Sequence, residues 1–559
     1  MIELSQEAIE LLQYLVKHQD AFSDYFNASN VSHRKGGAKE ENKTKYIKPL
    51  LEELAEEKLL IPSKELFRSP RYLLNVEKAE KVLNEIEEEQ TIYTQEYRDA
   101  LEEEIKQYKT FVITTAVMGK EVNKPFVNAI RNFAKRHNAL MLVLPCEDVV
   151  SRGRKAKPIE LSSELDDFKV IFKDTYINRN LCLSAIKVSA KQINPLTGLD
   201  RMAVQRQASI MVASPKVFLK YIPNMHYDIP PAVMTTGAVT VNNYDTDKYM
   251  SKRTSVLAEN DHAYGAIIVE VEDDDIFHFR HVQASSYNSI TDMGYDYLPN
   301  GKIERLEGTV MVMGDSHTGY HDRELHVSAM GLAKDTGVST VILHDVFNGT
   351  SISHHDNNKG ITKAIKAQEN RLGLERECEA VKNYIKTIES TGVNVVIPEA
   401  NHNTHLKRFL EEGRYVGDPM NYKFSLKLAL AACEGKNPLQ YAIESLFGYM
   451  SDSVKWLKMD EKYNVYGVEC GLHGDKGANG SRGSLAIFEK GLGNSVTAHT
   501  HTAAIQRNVC SVGTMSGMDM GYNEGLSNWT HTCCLIYKNG TKQLINFIPN
   551  KKDEYKCTI

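Results

Sequence analysis

Residues 308–322 read "GTVMVMGDSHTGYHD", and they decide how the second half of the chain is to be read. The run Thr309–Met313 has the composition of a buried strand, and it stops at Asp315 and His317, one residue apart. A single Asp-x-His at a strand end is ordinary, because the acid caps a turn and the imidazole sits at the surface. Further strand ends repeat the feature. "STVILHD" delivers Asp345, "VNVVIPEANH" delivers Asn401 and His402, "KYNVYGVECGLHG" delivers His473, and "NSVTAHTH" delivers His499 and His501. Twelve of the 19 histidines fall in this part of the chain. Open α/β sheets bind ligands at the carboxyl ends of their strands, so an ordered series of this kind predicts one shared site.

The chemistry follows from the residue types. Imidazoles, carboxylates and an amide oxygen suit ions of borderline hardness, with Mn expected first and Mg, Fe, Ni or Zn as alternatives. No thiolate is required, which argues against a structural zinc site. Seven candidates (Asp315, His317, Asp345, Asn401, His473, His499 and His501) are too many for one catalytic ion with an open position. They suit two divalent ions, which in such sites stand roughly 3.5–4 Å apart and clamp both oxygens of a displacement at phosphorus.

In order and spacing these motifs resemble the calcineurin-like metallophosphoesterases, a family that includes nucleases of double-strand-break repair. The resemblance covers about residues 306–559 and implies a β-sandwich with flanking helices. It implies that Asp315, His317, Asp345 and His501 hold one ion. It implies that Asp345, Asn401, His473 and His499 hold the other, with Asp345 bridging. His402 would then be the catalytic proton donor to the leaving oxygen. Two departures stand out. The second motif is usually Gly-Asp-x-x-Asp or Gly-Asp-x-x-Gly but here runs from His344-Asp345 to Asn348. Asn403 follows His402 where an acid is usual, so no carboxylate is evident to orient that histidine. More widely, "INPLTGLDRM", "MTTGAVTVNNY" and "GLHGDKGANGSRGSL" are similar to segments of phage DNA-transfer proteins, among them the pre-early DNases of large siphophages that degrade host DNA.

The rest of the chain frames this site. With 559 residues, 42% hydrophobic and 25% charged, it is an ordinary globular α/β sequence with room for two to four domains. Residues 1–105 read as helical and charged, with Ile9, Leu12 and Leu15 on one face and a basic loop suggesting a helix-turn-helix-like module. A plain helical packing domain is the structural alternative. Residues 106–305 open as an α/β domain, with a strand over "KTFVITTAV", a helix with Pro125 near its start, and a strand over "ALMLVLPC". Residues 306–559 form the expected metallophosphoesterase domain.

Nine scattered cysteines without a CxxC pair suggest a reduced, cytoplasmic chain, in the host bacterium if a phage encodes it. Neither a signal peptide nor a membrane span is expected. The net charge of −6 gives no global basic field, so double-stranded DNA would be met by metals and local cations. Lys476 and Arg482, in "HGDKGANGSRG", are the candidate phosphate contacts, helped by glycine amides. Lys407 and Arg408 read as a solvated helix face. The expected activity is a metal-dependent DNase with little sequence preference, acting as a homo-oligomer. A phosphodiesterase or phosphatase for a small molecule, or a non-enzymatic DNA-transfer protein, are the alternatives.

Overall fold

A computed structural model of the chain describes residues 4–22, 24–34, 44–63, 70–89, 94–148, 159–225, 229–244, 252–356, 358–521, 523–552 and 554–559. Fifteen α-helices and six sheets occur among them, in a mixed α/β arrangement. The chain forms two compact units, Met1–Asp99 with Ala156–Pro158, and Ala100–Lys155 with Ile159–Ile559.

In the first unit, helices Gln6–Lys17, Ala28–Arg34, Thr44–Glu56 and Val76–Glu89 surround a core in which Leu12, Leu15, Leu51 and Leu54 are fully buried. Ser5 caps the first helix by accepting from the Ala8 amide. The unit is not purely helical. Strand Leu60–Pro62 pairs antiparallel with Tyr72–Leu74, each too short to stand out by alternation. Most of the basic loop, residues 35–43, lies outside the described residues.

The second unit opens with the expected strand, helix, strand. Thr110–Val117 and Leu140–Cys146 pair in parallel, and helix Lys124–His137 buries Phe126, Ile130 and Phe133. They belong to a five-stranded sheet ordered Phe277–Gln283, Gly265–Val271, Thr110–Val117, Leu140–Cys146, Lys169–Val170. The hairpin at its edge turns where the Asp273 carboxylate accepts from the Asp275 and Ile276 amides. Gly237 permits a close backbone approach, since a Cβ there would lie 2.9 Å from both Ala263 O and Gly265 Cα.

Two larger sheets position the candidate site. The six-stranded sheet runs Val454–Trp456, Asn394–Ile397, Val338–Leu343, Thr309–Met313, Thr532–Ile536, Lys542–Asn546. Its first four strands are parallel; Thr532–Ile536 pairs antiparallel with Thr309–Met313, and Lys542–Asn546 pairs antiparallel with Thr532–Ile536. Helix Leu374–Glu389 covers it with Leu374, Cys378, Val381, Ile385 and Ile388, all buried.

The ten-stranded sheet joins two distant stretches, strands between residues 175 and 235 and strands between 464 and 511. They meet where Ala504–Gln506 pairs antiparallel with Phe218–Tyr221, in register Ile505 to Leu219. This sheet therefore runs across position 305, where the sequence suggested a boundary. None of the nine cysteines is in a disulfide. Among the described residues no helix is long and apolar enough to cross a membrane.

Candidate metal centre

The first three strand ends behave as a parallel sheet requires. Thr309–Met313, Val338–Leu343 and Asn394–Ile397 lie side by side, so Asp315, His317, Asp345 and Asn401 emerge at one edge. Beyond the strands the first two connections stay zipped. Ser316, His317 and Thr318 donate their amides to the carbonyls of His344, Asp345 and Val346 at 3.0, 2.8 and 3.1 Å. Gly314 is needed just before Asp315, because a Cβ there would lie 2.4 Å from Gly513 O.

The fourth and fifth motifs arrive from the other sheet, which the sequence did not indicate. "KYNVYGVEC" is not one strand but a tight hairpin of Asn464–Val465 and Val468–Glu469, turning at Tyr466 (φ 49°) and Gly467 (φ 88°). His473 follows it, and His499 and His501 follow strand Ser495–Thr497. The Ala498 amide donates to His473 O at 2.7 Å and locks the two loops together.

All seven candidate ligands converge, in two overlapping groups. In the first, His501 Nε2 lies 2.9 Å from Asp315 Oδ2 and 3.0 Å from His317 Nε2. In the second, Asn401 Oδ1 is 2.8 Å from His473 Nε2 and 3.2 Å from His499 Nδ1, while His473 Nε2 is 3.2 Å from Asp345 Oδ2. Asp315, His317, Asp345, His473 and His501 are buried. Ligand atoms of Asp315, His317 and His501 lie within 4.8 Å of one another, as do those of Asp315, Asp345 and His473, and those of His317, Asp345 and His402.

His317, Asp345, His499 and His501 all take left-handed backbone, with φ of 42°, 41°, 71° and 56°. Non-glycine residues adopt it at a cost of order 1–3 kcal/mol each, and such strain gathers at functional sites. His402 begins helix Asn401–Glu411. Its amide donates to Asp345 Oδ1 at 3.3 Å, and its Nδ1 lies 2.7 Å from the carbonyl oxygen of Asn348. A carbonyl only accepts, so Nδ1 carries the proton and Nε2 is the nitrogen left for chemistry.

The electrostatics are those of a cation site. Burial opposes ionisation of Asp345, yet the His473 and His402 charges hold its carboxyl well below the usual range. Asp315 is likewise lowered against burial, by His473 and His501. Burial, helped by the charge of His402, pushes His317 down to about 3. His473 moves the other way, up to about 9, because Asp345 and Asp315 outweigh its burial. His317 Nδ1 and His501 Nδ1 are buried without a hydrogen-bond partner. Buried carboxylates and imidazoles converging in this way fit divalent cations, since bare polar burial is otherwise unfavourable.

With this geometry in view, one relationship to a known protein stands out. Protein A1 of Escherichia phage T5 is 28% identical to this chain over 468 residues, spanning 79% of the chain and 83% of the relative. No protein-family model matches the chain.

The remaining sequence candidates lie around the centre. Lys476 and Arg482 are exposed and bridge one another across the loop after His473. Three of the four glycine amides expected to help them are occupied within the loop. Gly477 N donates to Ser481 O, Gly480 N to Gly477 O and Gly483 N to Asp475 O. Lys407 and Arg408 are exposed and face Glu411 and Glu412 on their own helix, at 3.7 and 2.6 Å.

Sequence reading missed three neighbours. His344 is fully buried with its Nδ1 3.4 Å from His473 Nδ1. Trp529 sets its ring 4.2 Å from that of His501. Glu377 grips the loop after Asp345. Of the three, His344 alone left a trace in the sequence, standing before Asp345 where the resemblance leads one to expect Gly.

Proposed function

We propose that this chain is a metal-dependent phosphodiester hydrolase acting on DNA, built on the calcineurin-like metallophosphoesterase plan. The observation that carries the reading is the convergence of seven candidate ligands, from two sheets, into two groups that meet at Asp345. On this reading Asp315, His317, Asp345 and His501 hold one divalent ion, and Asp345, Asn401, His473 and His499 hold the second. Manganese is the favoured metal. Bound there, the ions would neutralise charge on the scissile phosphate and polarise the attacking water.

The protein's own groups do the rest. His402, with Nδ1 tied to the Asn348 carbonyl, presents Nε2 to give a proton to the leaving oxygen. The buried Asp315 and Asp345, held ionised, keep the centre ready for cations at neutral pH. Lys476 and Arg482 offer charge on the loop that follows His473, which suits a polyanion and carries no base information. The likeness to a phage protein supports a phage enzyme that degrades host DNA in the bacterial cytoplasm.

Incubation of the purified chain with double-stranded DNA and Mn, beside an EDTA control, tests the reading. Metal-dependent degradation of unrelated sequences is expected. Cleavage of a small diester with none of any DNA would move the assignment to a small-molecule phosphodiesterase.

A further inference from the structure

We infer that Glu377, which touches neither the candidate ligands nor His402, is the positioning residue that aims His402 at the leaving oxygen; the inference rests on the hydrolase reading above. Asn403 stands where the family resemblance leads one to expect an acid, and the partner of His402 Nδ1 is instead a backbone carbonyl, Asn348 O, at 2.7 Å. A carbonyl carries no charge, and its aim is only as good as the loop that bears it.

That loop is held from outside. Glu377 lies one turn into helix Leu374–Glu389, anchored by the buried Leu374, Cys378 and Val381 on either side. Its Oε1 accepts from the Thr350 amide at 2.8 Å. Its Oε2 accepts from the Ser351 amide at 2.9 Å and from Ser351 Oγ at 2.5 Å. These amides open the short turn Thr350–Ile352, which follows Asn348 through Gly349 in left-handed backbone, φ 76°. Asn348 ties itself to the same turn, donating from Nδ2 to Thr350 Oγ1 at 2.6 Å. Lys366 adds a second clamp, reaching Thr350 O at 3.2 Å while pairing with Asp356 at 2.5 Å. The contacts thus run from the helix carboxylate to two loop amides, to the Asn348 carbonyl, to His402. Without Glu377, two amides lose their acceptor and the carbonyl that orients His402 loses its support. Misplacement of a catalytic group by about 1 Å can cost about 100-fold in rate.

Selectivity separates positioning from general support. Cleavage of DNA expels an alkoxide and needs the proton from His402. Cleavage of bis(p-nitrophenyl) phosphate expels a nitrophenolate, which leaves without it. The wild-type chain, Glu377→Ala, His402→Ala and the double variant are assayed with Mn on both substrates, with bound metal measured. Glu377→Ala should lower kcat on DNA by about 10–100-fold, with KM and metal content close to wild type. The loss on the activated diester should be much smaller. In the His402→Ala background the second substitution should cost nothing further, because the two act as one unit.

Equal losses on both substrates, a full additional loss in the double variant, or unchanged DNA turnover would each overturn the inference. Should Glu377→Ala not fold, Glu377→Gln, which keeps the volume but turns one acceptor into a donor facing the loop, carries the same test. An inactive wild-type chain would overturn the hydrolase reading and this inference together. An active wild type with an indifferent Glu377 variant overturns the inference alone.

Discussion

His317 and His501 bring their Nε2 atoms within 3.0 Å of one another, and Asp315 Oδ2 lies 2.9 Å from the same His501 nitrogen. Two imidazole nitrogens meet at this distance only across a proton or around a cation. Burial pushes His317 down to about 3, so the ring is neutral and keeps a lone pair that either arrangement can use. The second is supported by Asp315, whose buried carboxyl is held ionised.

Metal content tests this directly. Wild-type chain reconstituted with Mn should approach two ions per chain by elemental analysis. Asp345→Ala should reduce both sites, because its carboxylate meets both groups, whereas His501→Ala should chiefly empty the first. A saturated value near zero in the wild type would refute the assignment.

The charge on His473 gives a pH dependence with a definite sign. Asp345 and Asp315 push this imidazole up to about 9 against its burial, so it is protonated at neutral pH in the metal-free chain. A ligating imidazole must be neutral, so binding an ion expels that proton. Affinity should therefore rise with pH, by about tenfold per unit for one displaced proton, and level off near 9. Calorimetry at pH 7 in two buffers of different ionisation enthalpy counts the released protons. A count of zero, or affinity flat between pH 7 and 9, would contradict the arrangement.

His402→Ala should lose turnover without losing metal. Its amide and Nδ1 hold Asp345 and Asn348, but none of the closest contacts within the two ligand groups depends on its ring. A general acid contributes roughly 100-fold to 10,000-fold. With a backbone carbonyl as its partner, the loss is expected toward the lower end. Loss of metal in step with activity would make His402 a ligand.

What the sequence exposed and what it hid divide along one physical line. Local pattern revealed the strands before Asp315, Asp345 and Asn401, and the stripe from Leu374 to Ile388, because period and burial are properties of neighbouring residues. That His473, His499 and His501 ride on a different sheet was hidden. Strand pairing such as Ile505 with Leu219 joins residues far apart in the chain, and alternation names a strand without naming its partner. The left-handed backbone at four site residues was hidden too, since none is a glycine. Glu377 acts through two amides of a loop, and backbone acceptors and donors leave no mark in residue identity.

A prediction for stability comes from Arg280, only 2% exposed. Its guanidinium takes Glu270 at 2.8 and 3.1 Å and Asp292 at 2.8 and 3.1 Å. Gln543, from the six-stranded sheet, donates to the same Asp292 at 2.8 Å, so the cluster joins three sheets. Removing one partner of a buried charged set costs about 3–5 kcal/mol, because the others stay buried and uncompensated. Arg280→Ala should show this as a lower denaturation midpoint, and Arg280→Lys should recover only part, lacking the fork geometry. A midpoint within error of wild type for Arg280→Ala would show that the cluster is not holding the sheets.

The last prediction concerns DNA itself. Net charge is −6, so attraction to a polyanion must come from the metals and from local cations such as Lys476 and Arg482. Both side chains are exposed on the loop after His473, while the amides of Gly477, Gly480 and Gly483 around them are already spent on internal turns. Side-chain charge, and not a backbone cradle, should therefore carry the contact. Lys476→Ala with Arg482→Ala should raise the KM for DNA several-fold and flatten its salt dependence, because fewer counterions are released when fewer phosphates are met. Turnover of bis(p-nitrophenyl) phosphate should change far less, since a small diester needs only the centre. Measured KM on both substrates between 50 and 200 mM salt decides the point. An equal loss on the two substrates would mean that the loop shapes the metal centre through His473 and does not hold DNA.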